Sequence, residues 1–282
     1  MVYDSDYREA PLAAIDTAYP LTQQGADTPG AFVVPTTASR ITEIKIGFGS
    51  IATDVIMGAT SAIKLEGTGL RVPAVFLVGP MIAAAGAAAT DGGFAVTQSM
   101  KYKTNIGVVG GNTIEVTGYM HGEVIGIGHL VVTIIYDGVP GKIVGGDYRE
   151  ETTGAAANTL VTLGRRGAVA EGDIIPAGTI GEIVFGAIPD PVGHASDGLL
   201  IAPTLHLSGN GLLVNGNYKF TGSVGSQHPD TDIVGTGALA LLPERYECGS
   251  GIATKANGRI RAQAQNIESI QSIHAIVGLC YV

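Results

Sequence analysis

The chain has 282 residues, of which 45% are hydrophobic and only 15% are charged, and its net charge is −9. Soluble domains usually carry about 25% charged residues, so large uncharged surfaces of the kind that meet other subunits are predicted. No Lys/Arg cluster reaches five residues, no apolar run reaches the ~20 residues of a membrane helix, and no signal peptide begins the chain. We therefore expect no sequence-specific nucleic-acid surface, no transmembrane segment and no secretory signal.

The predicted elements begin with an N-terminal arm, residues 1–38, which has no counterpart later in the chain. Residues 39–140 contain short runs rich in Val, Ile and Thr between clusters of Gly, Pro, Asn and Asp, a pattern typical of β-strands. Residues 141–166 are predicted to be a linker and contain the densest charge cluster of the chain, at 147–151. Residues 167–282 return to the strand pattern. No helical periodicity is sustained over three turns, so an all-β fold is predicted.

Three segments of the first β region recur, in the same order, in the second. The run "ITEIKIG" from residue 41 matches "IGEIVFG" from residue 180, and "IKLEGTGL" from residue 63 matches "LHLSGNGL" from residue 205. The closing run "EVIGIGHLVVTIIY" from residue 123 matches "ESIQSIHAIVGLCY" from residue 268. Collinear matches at nearly constant spacing predict an internal duplication, with two tandem jelly-roll-like β-sandwich or barrel domains. Alternation alone does not distinguish jelly-roll from immunoglobulin strand order.

The closing strands are predicted to have two covered faces. Leu130, Val132, Ile134 and Tyr136 alternate on one face, which is the predicted core face. The opposite face is too apolar to be solvated, so contact with the other copy or with another subunit is expected. The predicted interface residues are the repeat-related pairs on that face, namely Glu123 and Glu268, Ile125 and Ile270, and His129 and His274.

The repeated histidine is open to two interpretations. Glu123 and Glu268, the nearest repeated acids on the same strands, are six residues away, or about 20 Å, which is too far for direct contact. One interpretation is a hydrogen-bonded histidine at an interdomain or intersubunit surface. The other is a pH-sensitive contact at the same place.

No motif identifies an enzyme, so the chain is predicted not to be one. The runs "GFGSIA" and "GIGHLV" lack the third glycine of a dinucleotide fingerprint, and no His stands near Cys248 in "ECGSG". None of the six His forms the H-x-H pair of a cupin metal site, so we expect no catalytic residue, metal or cofactor. Cys248 and Cys280 are expected to be buried thiols, with a single disulfide left open. Acidic loops such as "HPDTDIVG" are expected to be solvated turns, with calcium as the alternative.

Two jelly-roll-sized domains in tandem, with "ITEIKIG…IKLEGTGL…HLVVTIIY" recurring as "IGEIVFG…LHLSGNGL…HAIVGLCY", resemble the double jelly-roll major capsid proteins of icosahedral viruses. The resemblance is architectural and covers nearly the whole chain. It implies a self-assembling shell subunit that forms pseudo-hexameric homotrimers in a virion assembled in the host cytoplasm. The implied partners are neighbouring capsid subunits and minor capsid or vertex proteins. The alternatives are a phage fibre, receptor-binding or carbohydrate-binding β-protein, and a two-domain cupin-like metalloenzyme.

Overall fold

The computed structural model describes most of the chain, and the statements below concern only the parts it describes. These are residues 4–14, 17–22, 31–50, 57–84, 98–122, 128–152, 159–164, 173–189, 199–201, 203–214, 218–222, 225–227, 239–266 and 273–282. Within these ranges every regular element is a β-strand, which confirms the predicted all-β class. Accordingly, no helix in this part of the chain is long and apolar enough to cross a membrane.

The described ranges contain twenty strands. The first half of the chain contains β1 (Asp4–Leu12), β2 (Tyr19–Pro20), β3 (Phe32–Val33), β4 (Arg40–Ser50), β5 (Met57–Glu66), β6 (Ala74–Ala84), β7 (Gln98–Gly107), β8 (Thr113–Gly122) and β9 (Gly128–Asp137). The second half contains β10 (Gly145–Thr152), β11 (Val161–Thr162), β12 (Ile180–Pro189), β13 (Leu199–Ile201), β14 (Pro203–Ser208), β15 (Tyr218–Thr221), β16 (Gly225–Gln227), β17 (Leu239–Leu241), β18 (Glu244–Ile252), β19 (Arg261–Asn266) and β20 (Ile273–Tyr281).

The antiparallel sheets form two sandwich-like domains. The first sandwich packs the sheet β1-β9-β4-β7 against the sheet β17-β6-β5-β8-β2, in which β3 also pairs with β8. Leu130 of β9 and Gly118 of β8 show how closely the two sheets approach, because a Cβ atom at Gly118 would lie 2.4 Å from Leu130 Cδ2. The second sandwich contains the sheets β10-β20-β12-β18 and β11-β19-β14-β15, with the short pair β13-β16 beside them. Each sandwich encloses apolar side chains.

One sheet of each sandwich corresponds strand by strand to a sheet of the other. The order β1-β9-β4-β7 matches β10-β20-β12-β18, and a register shift follows Ile41 in β4 and Ile180 in β12. The turns after β5 and β14 also match, since Gly67 and Gly209 both have φ 122°, a conformation that L side chains rarely adopt. An internal duplication would produce such correspondences. They do not show that the two sandwiches descend from one ancestral copy, so the duplication stays a prediction.

Parts of the predicted arm and linker are integral strands of the sandwiches. Strand β1 lies in the predicted arm and pairs along its whole length with β9, while β10 lies in the predicted linker and pairs with β20. Strand β17 comes from the second half but pairs with β6 of the first sandwich. Backbone pairing with a distant strand leaves no trace in local composition, which explains why the charged segments looked like connections.

The two sandwiches are packed against each other, and β20 shows this most clearly. In β9 exposure alternates, with Leu130, Val132, Ile134 and Tyr136 fully buried as predicted and the residues between them half-buried. In β20 all nine residues are buried. The second face of the β10-β20-β12-β18 sheet is covered by the first sandwich, mainly by β6 and β5. We call this second face the closed face.

Candidate functional site

A buried polar cluster lies where the closed face meets the first sandwich. Its acid is Glu150 of β10, and the Nε2 atom of His274 in β20 lies 3.0 Å from Glu150 Oε2. From the first sandwich, the Nδ1 atom of His121 in β8 lies 2.8 Å from Glu150 Oε1. The Nε2 atom of His121 lies 3.1 Å from the hydroxyl of Tyr148. All four side chains are at most 1% exposed, so both sandwiches contribute to one site that is removed from solvent.

The histidines determine the charge of this cluster. Burial raises the pKa of Glu150, but His121 and His274 together outweigh burial and lower its pKa from 4.5 to about 2. The Thr60 hydroxyl lies 3.4 Å from Glu150 Oε2 and adds a further polar contact from the first sandwich. Within the described ranges no group of three His, Cys, Asp or Glu side chains is arranged to hold a metal ion. The contacts of Glu150 with His121 and Thr60 join the two sandwiches through buried polar groups.

Strand periodicity places the acid at this buried position. In the run "DYRE" at 147–150, Tyr148 and Glu150 lie on one face of β10 and Arg149 on the other. The Nη1 atom of Arg149 lies 2.5 Å from Asp147 Oδ1 and donates to the Tyr148 carbonyl at 2.7 Å. The Tyr148 ring lies 5.8 Å from the ring of Phe76 in β6. Tyr148 and Glu150, on one face of this edge strand, therefore both contact the first sandwich.

The same arrangement occurs a second time, on an open surface. Strand β1 carries an identical "DYRE" run at 6–9, and in the pairing with β9 its Glu9 has the position that Glu150 has beside β20. The Nε2 atom of His129 lies 3.2 Å from Glu9 Oε2, with the His129 and Glu9 side chains 35% and 21% exposed. Tyr7, at the position of Tyr148, is 37% exposed. We call this outward side of the β1-β9-β4-β7 sheet the open face.

A tyrosine at the side of each sandwich forms a second pair of matching features. In the first sandwich Tyr102 of β7 donates its hydroxyl to the carbonyl of Val78 in β6, and Tyr102 is only 2% exposed. In the second sandwich Tyr246 of β18 donates in the same way to the carbonyl of Thr221 in β15, at an exposed site. We call the Val78–Tyr102 side, which the second sandwich covers, the closed edge. The Thr221–Tyr246 side is the open edge.

A cleft of about 380 Å³ lies between β7 and the second sandwich. Its lining includes Lys103, Glu182, Glu247 and Cys280, and Glu182 forms a bidentate ion pair with Arg245 at 2.8 and 2.9 Å. Burial, with a smaller contribution from Glu182, raises the pKa of the Cys280 thiol to about 12. This thiol is therefore protonated at neutral pH and is a weak nucleophile. Cys248 and Cys280 are both free, so the optional disulfide is not formed.

The predicted interface residues are only partly described. His274 is buried between the sandwiches, and His129 is half-buried on the open face. Glu123, Ile125, Glu268 and Ile270 lie outside the described residues. The histidines do contact carboxylates, but these belong to the neighbouring strands rather than to their own.

Sequence reasoning missed Glu9, Glu150 and His121. The signal that could have found the two acids is the identical tetrapeptide "DYRE", which occurs at 6–9 and 147–150. His121 has no counterpart in a matching run, so no repeat could have indicated it. Its role becomes visible only from the packing of one sandwich on the other.

Comparisons with known proteins give weak likenesses. No family model matches the chain, and no curated protein matches it in sequence. Among solved structures, PNGF-II matches with 8% identity and a TM-score of 0.39 over 97% of this chain, which spans 65% of the length of PNGF-II. PNGase F, a glycosylasparaginase from Flavobacterium meningosepticum, matches with 11% identity and a TM-score of 0.38, over 99% of this chain and 96% of its own. A triple jelly roll protein of an archaeal virus matches with 8% identity and a TM-score of 0.23, over 96% of this chain and 58% of its own.

These comparisons correct one prediction. The chain was predicted not to be an enzyme, and this is contradicted because PNGase F, an amidase, is among the similar structures. The prediction rested on the absence of short sequence motifs, which is insufficient, because catalytic groups in β-sandwiches can come from separate strands with no local signature. With TM-scores below 0.5, neither the amidase nor the viral structures carry an argument about what this chain does.

Proposed function

We propose that the protein is a self-assembling structural subunit, built from β-sandwiches that associate by packing a sheet face of one against the side of another. The observation that carries this proposal is the packing inside the chain. All nine residues of β20 are buried, and Ile276 and Cys280 on its second face lie in the core cluster of the first sandwich. The chain as a whole is only 15% charged, which favours further contacts with other copies.

The finer form of the proposal is a viral major capsid protein that forms homotrimers. Three chains contribute six sandwiches, and such a ring has pseudo-sixfold edges that can meet equivalent neighbours. The support is the tandem organisation: two sandwiches with matching strand orders, β1-β9-β4-β7 and β10-β20-β12-β18. Two matching sandwiches in one chain supply the six similar units of a pseudo-sixfold trimer.

Size measurement tests the proposal. Light scattering coupled to gel filtration is expected to show a trimer or larger species for the purified chain at micromolar concentration, and electron microscopy is expected to show rings or closed particles. A stable subunit contact buries at least about 1,200 Å² in total, so assembly at micromolar concentration is a reasonable requirement. A monomer that persists up to millimolar concentration would contradict the structural role.

A further inference from the structure

Each sandwich packs one surface against the other sandwich and leaves a second, matching surface exposed. The second sandwich uses its closed face and leaves free the open edge, at Thr221 and Tyr246. The first sandwich uses its closed edge, at Val78 and Tyr102, and leaves free the open face. The face and the edge that meet inside the chain therefore each have a matching counterpart that no other sandwich covers within the described residues.

We propose that the open face of one copy binds the open edge of a second copy of this chain and repeats the contact between the two sandwiches of a single chain. This inference rests on the proposed function, since it specifies the surfaces through which the subunit assembles. The partner is a second copy of this chain because the chain itself carries a surface that fits the open face. That surface is the open edge, which matches the closed edge that packs against the closed face.

The contact inside the chain gives a residue-level expectation. A Cβ atom at Gly278 would lie 2.8 Å from Val78 Cγ2 and 3.6 Å from Val78 Cβ, so these positions touch directly. In β9 the position of Gly278 is occupied by Thr133, because Tyr7 pairs with Thr133 as Tyr148 pairs with Gly278.

In β15 the position of Val78 is occupied by Thr221. Its carbonyl accepts the Tyr246 hydroxyl, as the Val78 carbonyl accepts the Tyr102 hydroxyl. Thr133 of one copy is therefore expected to touch Thr221 of the next, at a slightly wider spacing than that of Gly278 and Val78, because Thr133 carries the Cβ atom for which the contact at Gly278 leaves only 2.8 Å.

The chemistry of the open surfaces suits a contact between separately folded subunits. The open face combines the half-buried Val131 with the Glu9–His129 pair, whose atoms are 3.2 Å apart. The open edge offers the rings of Phe220 and Tyr246, with centroids 5.1 Å apart. Aromatic rings beside hydrogen-bonding groups are enriched at interfaces between proteins. Both surfaces are more polar than their closed counterparts, as expected for surfaces that meet water before assembly.

The contact joins two different surfaces, so it is heterologous. Such contacts propagate head to tail, and they close into a ring when the rotation per step allows it. Each copy has one open face and one open edge. Every added copy therefore covers one open surface of the assembly and brings a new open surface of the same kind. Face-to-face dimers are not expected.

Engineered disulfides test the inference. The Cβ–Cβ separation of 3.6 Å at the contact inside the chain lies within the range for a disulfide. We expect Thr133→Cys/Thr221→Cys to give a ladder of covalent oligomers on mild oxidation. A mixture of the two single variants should give a cross-linked dimer, whereas each single variant alone should give no more cross-linking than the parent chain, which retains Cys248 and Cys280.

A second pair of variants does not depend on cross-linking. Val131→Lys, on the open face, is expected to raise the concentration needed for assembly at least tenfold. Val139→Lys, at a 50% exposed position outside that face, is the matched control and should assemble like the parent chain.

Cross-linking of Thr133→Cys with itself, or an assembled double variant without cross-links, would overturn the inference and leave the structural role intact. A monomeric parent chain would instead remove the proposed function and this inference with it.

Discussion

Replacing Glu150 by Gln removes the charge from the buried cluster while preserving its shape. The pKa of Glu150 in the fold is about 2, against 4.5 for an unperturbed Glu. This difference corresponds to about 3 kcal/mol of stabilisation by the ionised form. We expect Glu150→Gln to lower the free energy of unfolding at pH 6 by about that amount, in line with the ~3–5 kcal/mol typical of breaking a buried ion pair.

The pH dependence has a defined sign. The pKa of Glu150 is lower in the fold than in the unfolded chain, so its contribution is complete above about pH 4.5 and is lost as the pH falls to about 2. The difference in stability between the parent chain and Glu150→Gln should therefore shrink across this window. Calorimetry of both proteins from pH 6 down to pH 2 measures this difference. At pH 6 the melting temperature of Glu150→Gln is expected to be about 5 °C below that of the parent chain, given the size of the chain.

Glu9→Gln is the matched control for Glu150→Gln. Glu9 forms the equivalent pair with His129, but the two side chains are 21% and 35% exposed. An ion pair screened by solvent contributes about 0–1 kcal/mol, so Glu9→Gln should change the melting temperature by less than about 2 °C. Equal effects of the two substitutions, or a Glu150→Gln variant as stable as the parent chain, would refute the argument that burial between the sandwiches makes the difference.

Three further predictions concern the same interface. Gly278→Thr places a Cβ atom 2.8 Å from Val78 Cγ2 and should lower the free energy of unfolding by about 1–3 kcal/mol in urea; an unchanged midpoint would show that the sandwiches are not packed this closely. Tyr102→Phe removes the hydroxyl that binds the Val78 carbonyl and should lower that free energy by about 1 kcal/mol, measured in the same way. Iodoacetamide should alkylate the half-buried Cys248 at least tenfold faster than the buried Cys280, as measured by mass spectrometry of peptides, with equal rates in denaturant as the control.

The fold class could be predicted from the sequence because it depends on local patterns. Alternating apolar residues in β9 identified Leu130 and Tyr136 as core, and both are fully buried. The sequence also predicted that the second face of the closing strands is covered, but it left open by what, since no local pattern records the position of the first sandwich, which covers Ile276 and Cys280 of β20.

The candidate site was harder to predict for a physical reason. A charged run such as 147–151 is usually solvated, and burial of Glu150 is stable only because His121 and His274 meet it from two other strands. These partners are distant in sequence, so spacing along one strand could not identify them. The repeated "DYRE" run is only four residues long and lies in the predicted arm and linker, outside the two predicted domains.

Strand β17 affects the order in which the chain can fold during synthesis. The edge of β6 is paired with residues 239–241, which leave the ribosome after every other strand of the first sandwich. At ~5–20 residues per second, that edge remains unpaired for on the order of ten seconds. Throughout this interval a nascent chain exposes hydrogen-bonding groups that could pair with a neighbouring chain on the same message. Chaperone occupancy, codon speed and polysome spacing around this stretch are therefore expected to influence how much of the protein reaches its native state.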